Sequence, residues 1–177
     1  FSNSGSASMG FGLPAAIGAC FASNKKEVIC IEGDGSIQMN IQELASIKHH
    51  DLPIKTFIFS NEGYHSIRQT QTKYFPDNIT GCGPDSGLSF PDFKNIAKAY
   101  GLKYMLIDKG SNLVDNLKSA LNTKEPIICE VLIDKNQEFE PKASSKLYPD
   151  GRMKSAPLYD LYPFLDSKII EEIINHE

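Results

Sequence analysis

Apolar residues in this chain alternate between short continuous runs and stretches of helical spacing. The short runs are rich in β-branched residues and predict buried strands at 28–31, 54–59, 103–107 and 127–133. Helical spacing or end signals predict helices at 13–23, from Ser36 or Ile37 onward, at 92–100 and at 111–121. This alternation predicts an α/β fold: a single domain with a doubly wound, mainly parallel sheet and helices on both faces.

The remaining stretches lack a clear period. Residues 1–12 are rich in Ser, Gly and Ala, and residues 76–89 are rich in Gly and Pro, so both are predicted to be loops. Residues 65–75 mix polar groups with rings, and we expect them to line a substrate pocket. The segment 140–152 has no core of its own, whereas 160–165 is apolar and aromatic and precedes a short amphipathic helix.

Composition narrows the function classes. A net charge of −4 and the lack of a Lys/Arg cluster argue against a nucleic-acid partner. No apolar run is long enough to span a membrane, and the N-terminus lacks the pattern of a signal peptide. The four cysteines have no metal or redox spacing, which favours free thiols in a reduced, cytoplasmic setting. A disulfide or a reactive thiol is the alternative, chiefly at Cys82.

Two polar turns carry the candidate chemistry. Residues 33–36 read Gly-Asp-Gly-Ser directly after one predicted strand, and Asn61 follows the next. Parallel strands would bring Asp34 and Asn61 together at one sheet edge, where ligands of open α/β sheets bind. Their oxygens suit Mg²⁺, and a helix N-terminus at Ser36 suits a phosphate. The sequence therefore predicts a diphosphate carried on Mg²⁺, although Gly-Asp-Gly alone is also compatible with a plain surface turn.

These motifs resemble the signature of enzymes that depend on thiamine diphosphate (ThDP). The resemblance rests on residues 33–36 with Asn61 twenty-seven positions after Asp34, and on residues 5–19, Gly-Ser-Ala-Ser-Met-Gly-Phe-Gly-Leu-Pro-Ala-Ala-Ile-Gly-Ala. It covers 5–133 and is nearest to the large catalytic subunits of acetolactate synthase-like members. It implies their C-terminal, diphosphate-binding domain.

The resemblance also implies roles for individual residues. The Ala7 carbonyl and the Met9 N–H would bind the aminopyrimidine ring, and the Met9 side chain would support the bent cofactor; a plain core role for Met9 is the alternative. The metal ligands would be Asp34, Asn61 and Gly63. The full set of implied cofactor-binding residues is Ala7, Ser8, Met9, Gly33, Asp34, Gly35, Ser36, Asn61, Gly63 and Tyr64.

Domain organisation follows from the same resemblance. Residues 1–140 would form the diphosphate-binding domain without its first strand and helix, and 141–177 a tail that packs on this domain or on a partner subunit. The activating glutamate would lie on a separate pyrimidine-binding domain, so no catalytic residue is assigned within this chain. We therefore expect the chain alone to be inactive, and the whole protein to be a homodimer or homotetramer.

The implied reaction is decarboxylation and carboligation of 2-oxo acids. The alternatives are a separate small subunit of a two-chain 2-oxo acid decarboxylase, or a non-catalytic phosphate-binding α/β module. Ser60 replaces a second Asn of the family pattern, His65 a Gly and Thr70 an acceptor-selecting Trp, and the chain has no Trp. These departures predict an altered choice of acceptor. His65 and Arg68 are also conceivable catalytic groups, although the sequence favours a solvated or structural role for each.

Overall fold

The computed structural model describes residues 6–110 and 112–175 and divides the chain into two compact units, Phe1–Asn136 and Gln137–Glu177. Residues 1–5 of the predicted N-terminal loop lie outside the described residues. The α-helices are α1 Gly12–Ala22, α2 Asp34–Ile37, α3 Leu44–His49, α4 His65–Tyr74, α5 Phe93–Ala99, α6 Leu113–Asn122 and α7 Ser167–Asn175. The strands are β1 Val28–Gly33, β2 Ile54–Ser60, β3 Lys103–Ile107, β4 Ile127–Leu132, β5 Ser145–Leu147 and β6 Met153–Ser155. Short 3₁₀ segments span Gln38–Glu43 and Pro84–Ser86.

The first unit is built on a parallel sheet of four strands in the order β1-β2-β4-β3. Consecutive strands along the chain point the same way because each is followed by a connection that crosses a face of the sheet. Gly33 is in register with Phe59, so the last residues of β1 and β2 lie side by side. This confirms the predicted parallel fold and places the two polar turns at one edge.

Helices cover both faces of this sheet, as predicted. On one face, residues of α1, α3 and α5 pack on the strands in a core of Leu13, Ala16, Cys20, Cys30, Ile37, Leu44, Ile47, Leu52, Ile54, Ile58, Phe93, Ala97 and Ile128. On the other face, α6 packs over the central strands in a core of Phe57, Ile107, Ala120, Ile127 and Cys129. Both clusters are apolar, and their burial is the main stabilising contribution to the unit.

The prediction of a fully buried strand at 28–31 was wrong for one face of β1. Cys30 points into the core, but the side chains of Ile29 and Ile31 are 52% and 60% exposed. The physical reason is that β1 is the edge strand of this sheet, and α6 covers the opposite end. A groove of about 860 Å³ runs between β1 and the small residues of α1, with Ala15, Gly18 and Ala19 in its wall.

Helices α1 and α5 lie within one residue of their predicted bounds, and three other helical segments differ more from the sequence pattern. The helix expected from Ser36 or Ile37 begins at Asp34, and it passes through a 3₁₀ segment with a kink at Asn40 before α3. Residues 65–74, which showed no firm period, form α4. Helix α6 begins at Leu113 because Asn112 caps it, accepting a hydrogen bond from the Asp115 N–H.

The second unit contains a hairpin that the sequence pattern did not predict. Strands β5 and β6 pair antiparallel, and Lys146 forms an ion pair with the buried carboxylate of Asp160. The hydrogen bond from Lys146 lowers the pKa of Asp160, although burial opposes this shift. The pattern missed the hairpin because each strand has only three residues. None of the described helices is long and apolar enough to cross a membrane.

Candidate functional site

The two polar turns meet at the side chain of Asp34. This residue directly follows β1 and is 1% exposed. Its Oδ1 accepts a hydrogen bond of 2.7 Å from the Gly35 N–H in the same turn. Its Oδ2 accepts bonds of 3.1 Å from Asn61 N–H and 3.0 Å from Gly63 N–H in the turn after β2. One carboxylate therefore fixes the distance between the two strand ends.

Electrostatically, this carboxylate lacks a counter-ion within the described chain. Burial raises the pKa of Asp34, while hydrogen bonds from the Gly63, Asn61, Gly35 and Glu62 N–H groups lower it. No Lys or Arg of the described residues forms an ion pair with it. Burying an unpaired charge is costly, and a bound cation removes that cost.

Asn61 supplies a second oxygen that lacks a protein partner. Its side-chain Oδ1 is buried, and it accepts no hydrogen bond from the described residues. The nearby Gly63 carbonyl accepts from His65 N–H at 3.1 Å and keeps a second lone pair. The described part of the chain contains no group of three or more His, Cys, Asp or Glu side chains that could hold a metal, here or elsewhere. A site with one carboxylate suits Mg²⁺, which shares its shell with water and phosphates.

Gly63 is the position in this turn where a side chain cannot fit. Its φ of +134° is a conformation that side chains rarely adopt, and an added Cβ would lie 2.1 Å from the Cys82 carbonyl oxygen. The preceding residue, Glu62, also has a positive φ of 58°. The turn after β2 is therefore strained and packed closely against the loop that contains Cys82.

The ring of Tyr64, from the turn after β2 (the second turn), covers the Gly-Asp-Gly-Ser turn after β1 (the first turn). Tyr64 lies over Gly35, where an added Cβ would approach the ring to 2.2 Å. The Tyr64 ring also packs edge-on against Phe90, with 6.3 Å between ring centroids. Gly35 and Ser36 lie in the first turn of α2, where main-chain N–H groups lack intrahelical partners. Since the Gly35 N–H already donates to Asp34 Oδ1, an oxyanion would bind at the remaining N–H groups of this turn, beside the Tyr64 ring.

Three hydrogen bonds attach Gly10 and Gly12 to the end of β1 and to the helical segments that follow it. Gly10 N–H donates to Ser36 Oγ at 2.9 Å, and Gly12 N–H donates to Glu32 Oε1 at 2.7 Å. The side-chain amide of Asn40, the residue at the kink of the 3₁₀ segment, donates to the Gly10 carbonyl at 2.9 Å. These bonds place residues 7–9, expected to hold an aminopyrimidine ring, next to the Gly-Asp-Gly-Ser turn.

Met9 belongs to this loop and not to the core, since its side chain is 47% exposed. Ala7 has a positive φ of 45°, and both Ala7 and Ser8 line the groove along β1. Asp34 and Asn61 do not line this groove. The metal-ligand pair and the groove are thus distinct parts of one region, with Ser36 between them.

Sequence reasoning missed several residues that shape the site. Glu32 follows the predicted strand 28–31 and received no role, although its carboxylate accepts from the Gly12 N–H at 2.7 Å. Asn40 showed no signal of its own. For Arg68 a solvated or structural role was favoured over a catalytic one, and its guanidinium donates to the Asn61 carbonyl at 3.1 Å. His65 is buried at the start of α4, and Thr70 is exposed and bonds to the Ser66 carbonyl.

These features define an α/β domain whose strand ends can hold a divalent cation and an oxyanion. Residues 1–131 match the family described as "Thiamine pyrophosphate enzyme, C-terminal TPP binding domain". The chain belongs to this family. Its cofactor is therefore thiamine diphosphate, and the sheet described above is the family's C-terminal domain fold.

Curated relatives agree with this assignment. The chain is 35% identical over 140 residues to the acetolactate synthase large subunit of Porphyra purpurea, and 36% over 146 residues to that of Lactococcus lactis. It is 35% identical over 159 residues to the acetolactate synthase isozyme 2 large subunit of Escherichia coli. The matches cover 79%, 82% and 90% of this chain but 23%, 25% and 28% of the relatives. The chain thus spans about a quarter of their length.

Proposed function

We propose that this chain is the cofactor-binding part of an Mg²⁺- and ThDP-dependent enzyme that decarboxylates and joins 2-oxo acids, as acetolactate synthases do. The observation that carries the proposal is the pairing of a buried, uncompensated Asp34 carboxylate with the partnerless Asn61 Oδ1. Two such oxygens at the ends of adjacent parallel strands, with the Gly63 carbonyl, supply three of the six ligands of an octahedral Mg²⁺ site and leave the others to diphosphate and water.

Within this proposal each residue has a binding role. Asp34, Asn61 Oδ1 and the Gly63 carbonyl hold Mg²⁺, and the first-turn N–H groups beside Ser36 hold the diphosphate. The loop containing Ala7 and Met9 holds the aminopyrimidine ring. When bound, the cofactor supplies an electron sink for the carbon that loses CO₂. The chain's own contribution is anchoring and orientation, because no general acid or base is assigned here.

The proposal includes further protein beyond this domain. Residues 1–140 would form the diphosphate domain and 141–177 a tail, with the activating glutamate on a pyrimidine-binding domain of a partner subunit in a homodimer or homotetramer. The exposed Ile29 and Ile31 on edge strand β1, with the neighbouring groove, support a further covering segment in the whole protein. An oligomer interface there would be apolar and larger than a crystal contact.

Removing the Asp34 carboxylate tests the cofactor site. In the whole protein that contains this chain, Asp34→Ala should abolish Mg²⁺-dependent ThDP binding, measured by calorimetric titration. The matched control is Asp77→Ala, because Asp77 is an exposed carboxylate in the loop after α4. Wild-type ThDP affinity in Asp34→Ala would overturn the assignment.

Turnover assays separate the alternatives. The whole protein should consume pyruvate with ThDP and Mg²⁺, whereas residues 1–177 alone should not. Activity that appears only when a second polypeptide is added would favour the small subunit of a two-chain decarboxylase. Binding of inorganic phosphate with no ThDP binding would favour a phosphate-binding module.

We further propose an altered acceptor choice. His65 is buried directly after the ligand turn, which is the turn of residues 61–63 after β2. Thr70 lies on the same helix, α4, at the position where the resemblance implies a Trp. One methylene in an apolar pocket discriminates by only about 1–3 kcal/mol, so such changes are enough to shift preference. Whole protein given pyruvate, then pyruvate with 2-oxobutyrate, should lack the strong 2-oxobutyrate preference of a biosynthetic synthase. A strong preference would overturn this part of the proposal.

A reducing, cytoplasmic location fits the thiols. All four cysteines are free and buried. Burial raises the pKa of Cys30 to about 12 and that of Cys129 to about 11, so both thiols stay protonated near neutral pH. Non-reducing mass mapping of the protein purified from its own cells should find no disulfide among them.

A further inference from the structure

The guanidinium of Arg68 folds back from α4 onto the turn that carries Asn61 and Gly63. Its Nη1 donates to the carbonyls of Asn61 and Lys135, each at 3.1 Å. Its Nη2 donates to the Glu62 carbonyl and, at 3.5 Å, to the Cys82 carbonyl. One side chain therefore bonds to four main-chain oxygens around the ligand turn.

These four carbonyls come from three separate segments of the unit. Asn61 and Glu62 lie in the ligand turn, Cys82 lies in the loop after α4, and Lys135 follows β4. No carboxylate within the described residues pairs with Arg68. The charge of Arg68 is thus directed at main-chain carbonyls. This arrangement fixes the backbone geometry, and it differs from a surface ion pair.

Two glycines make room for this arrangement. A Cβ at Gly63 would lie 3.1 Å from Arg68 Nη2, and a Cβ at Gly83 would lie 2.8 Å from the same atom. The positive φ angles of Glu62 and Gly63 show that the turn is strained. Strained backbone persists only where surrounding contacts determine it, and Arg68 supplies such contacts.

We propose that Arg68 is a positioning residue that sets the Mg²⁺ affinity of the site by holding residues 61–63 in their binding conformation. Its bond to the Asn61 carbonyl directs that oxygen away from Asp34, while the N–H groups of Asn61 and Gly63 point to Asp34 Oδ2. The buried Asn61 Oδ1 is thereby left for the metal. This inference rests on the proposed function, since it assumes the Mg²⁺ site.

The planar fork of arginine is essential to this role. Arginine offers five N–H donors in a fixed plane, whereas lysine offers three donors at one point. A lysine in place of Arg68 could keep the charge but could not reach four carbonyls on three segments. The substitution Arg68→Lys therefore separates geometry from charge. Arg152→Lys is the matched control, because Arg152 is the other arginine of the chain and is exposed.

The experiment is a calorimetric titration of the whole protein with Mg²⁺ at a fixed concentration of ThDP. Arg68→Lys should weaken Mg²⁺ binding by about 10–100-fold, the usual effect of losing a group that orients metal ligands. Arg152→Lys should bind as wild type. Turnover of Arg68→Lys should need more Mg²⁺ for half-saturation yet reach the wild-type kcat, and its metal-free thermal midpoint should match wild type.

Four results would overturn the inference. Wild-type Mg²⁺ affinity in Arg68→Lys would show that the fork is unimportant. A low kcat at saturating Mg²⁺ would indicate a role in the reaction itself. Should Arg68→Lys fail to fold, Gly83→Ala keeps the arginine but places a Cβ 2.8 Å from Arg68 Nη2 and 2.9 Å from the Glu62 carbonyl oxygen, so wild-type affinity there would equally exclude the role. If wild type binds no Mg²⁺ at all, the proposed function fails first and this inference fails with it.

Discussion

The turn after β1 and the turn after β2 end neighbouring parallel strands and meet at one carboxylate, yet they are held in different ways. The first turn has a local contact of its own, since Asp34 Oδ1 accepts from the N–H of the next residue and a helix begins at once, in addition to the bonds that reach it from Gly10, Asn61 and Gly63. The second turn is held by Arg68 and by the Cys82 carbonyl, and Arg68 also bonds to Lys135, 67 positions further along. Locally stabilised geometry can be read from a motif, whereas the second geometry requires the packed unit.

Glycine substitutions should show this difference most strongly. Gly63→Ala places a Cβ 2.1 Å from the Cys82 carbonyl at a φ of +134°, so the backbone of the second turn must move. Gly33→Ala, at the end of β1, meets no atom within 4 Å and needs no positive φ. In the whole protein, Gly63→Ala should weaken Mg²⁺ binding by about 100-fold or more, and Gly33→Ala by less than about 3-fold.

Calorimetric Mg²⁺ titration with ThDP, beside thermal unfolding of the metal-free protein, measures both effects. Equal losses in the two variants would mean that the turns are held alike, and the comparison would then fail. Unfolding of Gly63→Ala without metal would place the effect on the fold and not on the turn.

A contact between the turns should give the next largest effect. Gly35→Ala pushes against the Tyr64 ring, which is a side chain and can rotate away, unlike a carbonyl. We expect about a 10-fold loss of ThDP affinity, smaller than that for Gly63→Ala. In a Tyr64→Ala background the loss should shrink, because the clashing ring is gone. The double-mutant cycle is measured by ThDP titration at saturating Mg²⁺, and strict additivity would argue against this contact.

A third prediction concerns Glu32 of β1, which accepts a hydrogen bond from the Gly12 N–H at the start of α1. Glu32→Gln keeps an oxygen for the Gly12 N–H but removes the charge, which weakens this hydrogen bond. ThDP affinity should fall by about 3–10-fold, while Mg²⁺ affinity stays within about 2-fold, because the metal ligands are untouched. Glu171→Gln, on the exposed helix α7, serves as the control. Parallel titrations with each ligand decide the matter, and an equal loss of both would show that Glu32 supports the metal site as well.

How far the sequence could predict the site follows from the same contrast. The four strands, their parallel order and the meeting of Asp34 with Asn61 were predictable, because β-branched runs and strand-end motifs are local signals. For Arg68 the sequence suggested a conceivable catalytic group and favoured a solvated or structural role, without indicating its partners. Its four partners lie on three segments, and no periodicity could have indicated that they converge.

Other misses have equally specific causes. Burial of both faces of β1 was inferred from its apolar run, but an apolar run does not reveal whether a strand lies at an edge. The hairpin of β5 and β6 is too short to produce a pattern. Helix α2 starts early, at Asp34, because Gly33 in an extended conformation is its N-cap, so the Gly-Asp-Gly-Ser motif and the helix overlap.

The smallest predicted effect concerns Lys135, whose main-chain carbonyl and side-chain ammonium make separate contacts near the second turn. The Lys135 carbonyl accepts from Arg68, whereas its ammonium only approaches Glu62 at 3.6 Å and Asp85 at 3.9 Å, all with exposed side chains. Exposed ion pairs contribute about 0–1 kcal/mol, so Lys135→Ala should keep Mg²⁺ affinity within about 2-fold of wild type. Lys135→Pro cannot be the control, since it would alter the backbone itself. The measurement is the same Mg²⁺ titration, made at low and at high salt. If Lys135→Ala loses much of its Mg²⁺ affinity, and high salt causes the same loss in wild type, then surface charge, and not the guanidinium of Arg68, holds the second turn.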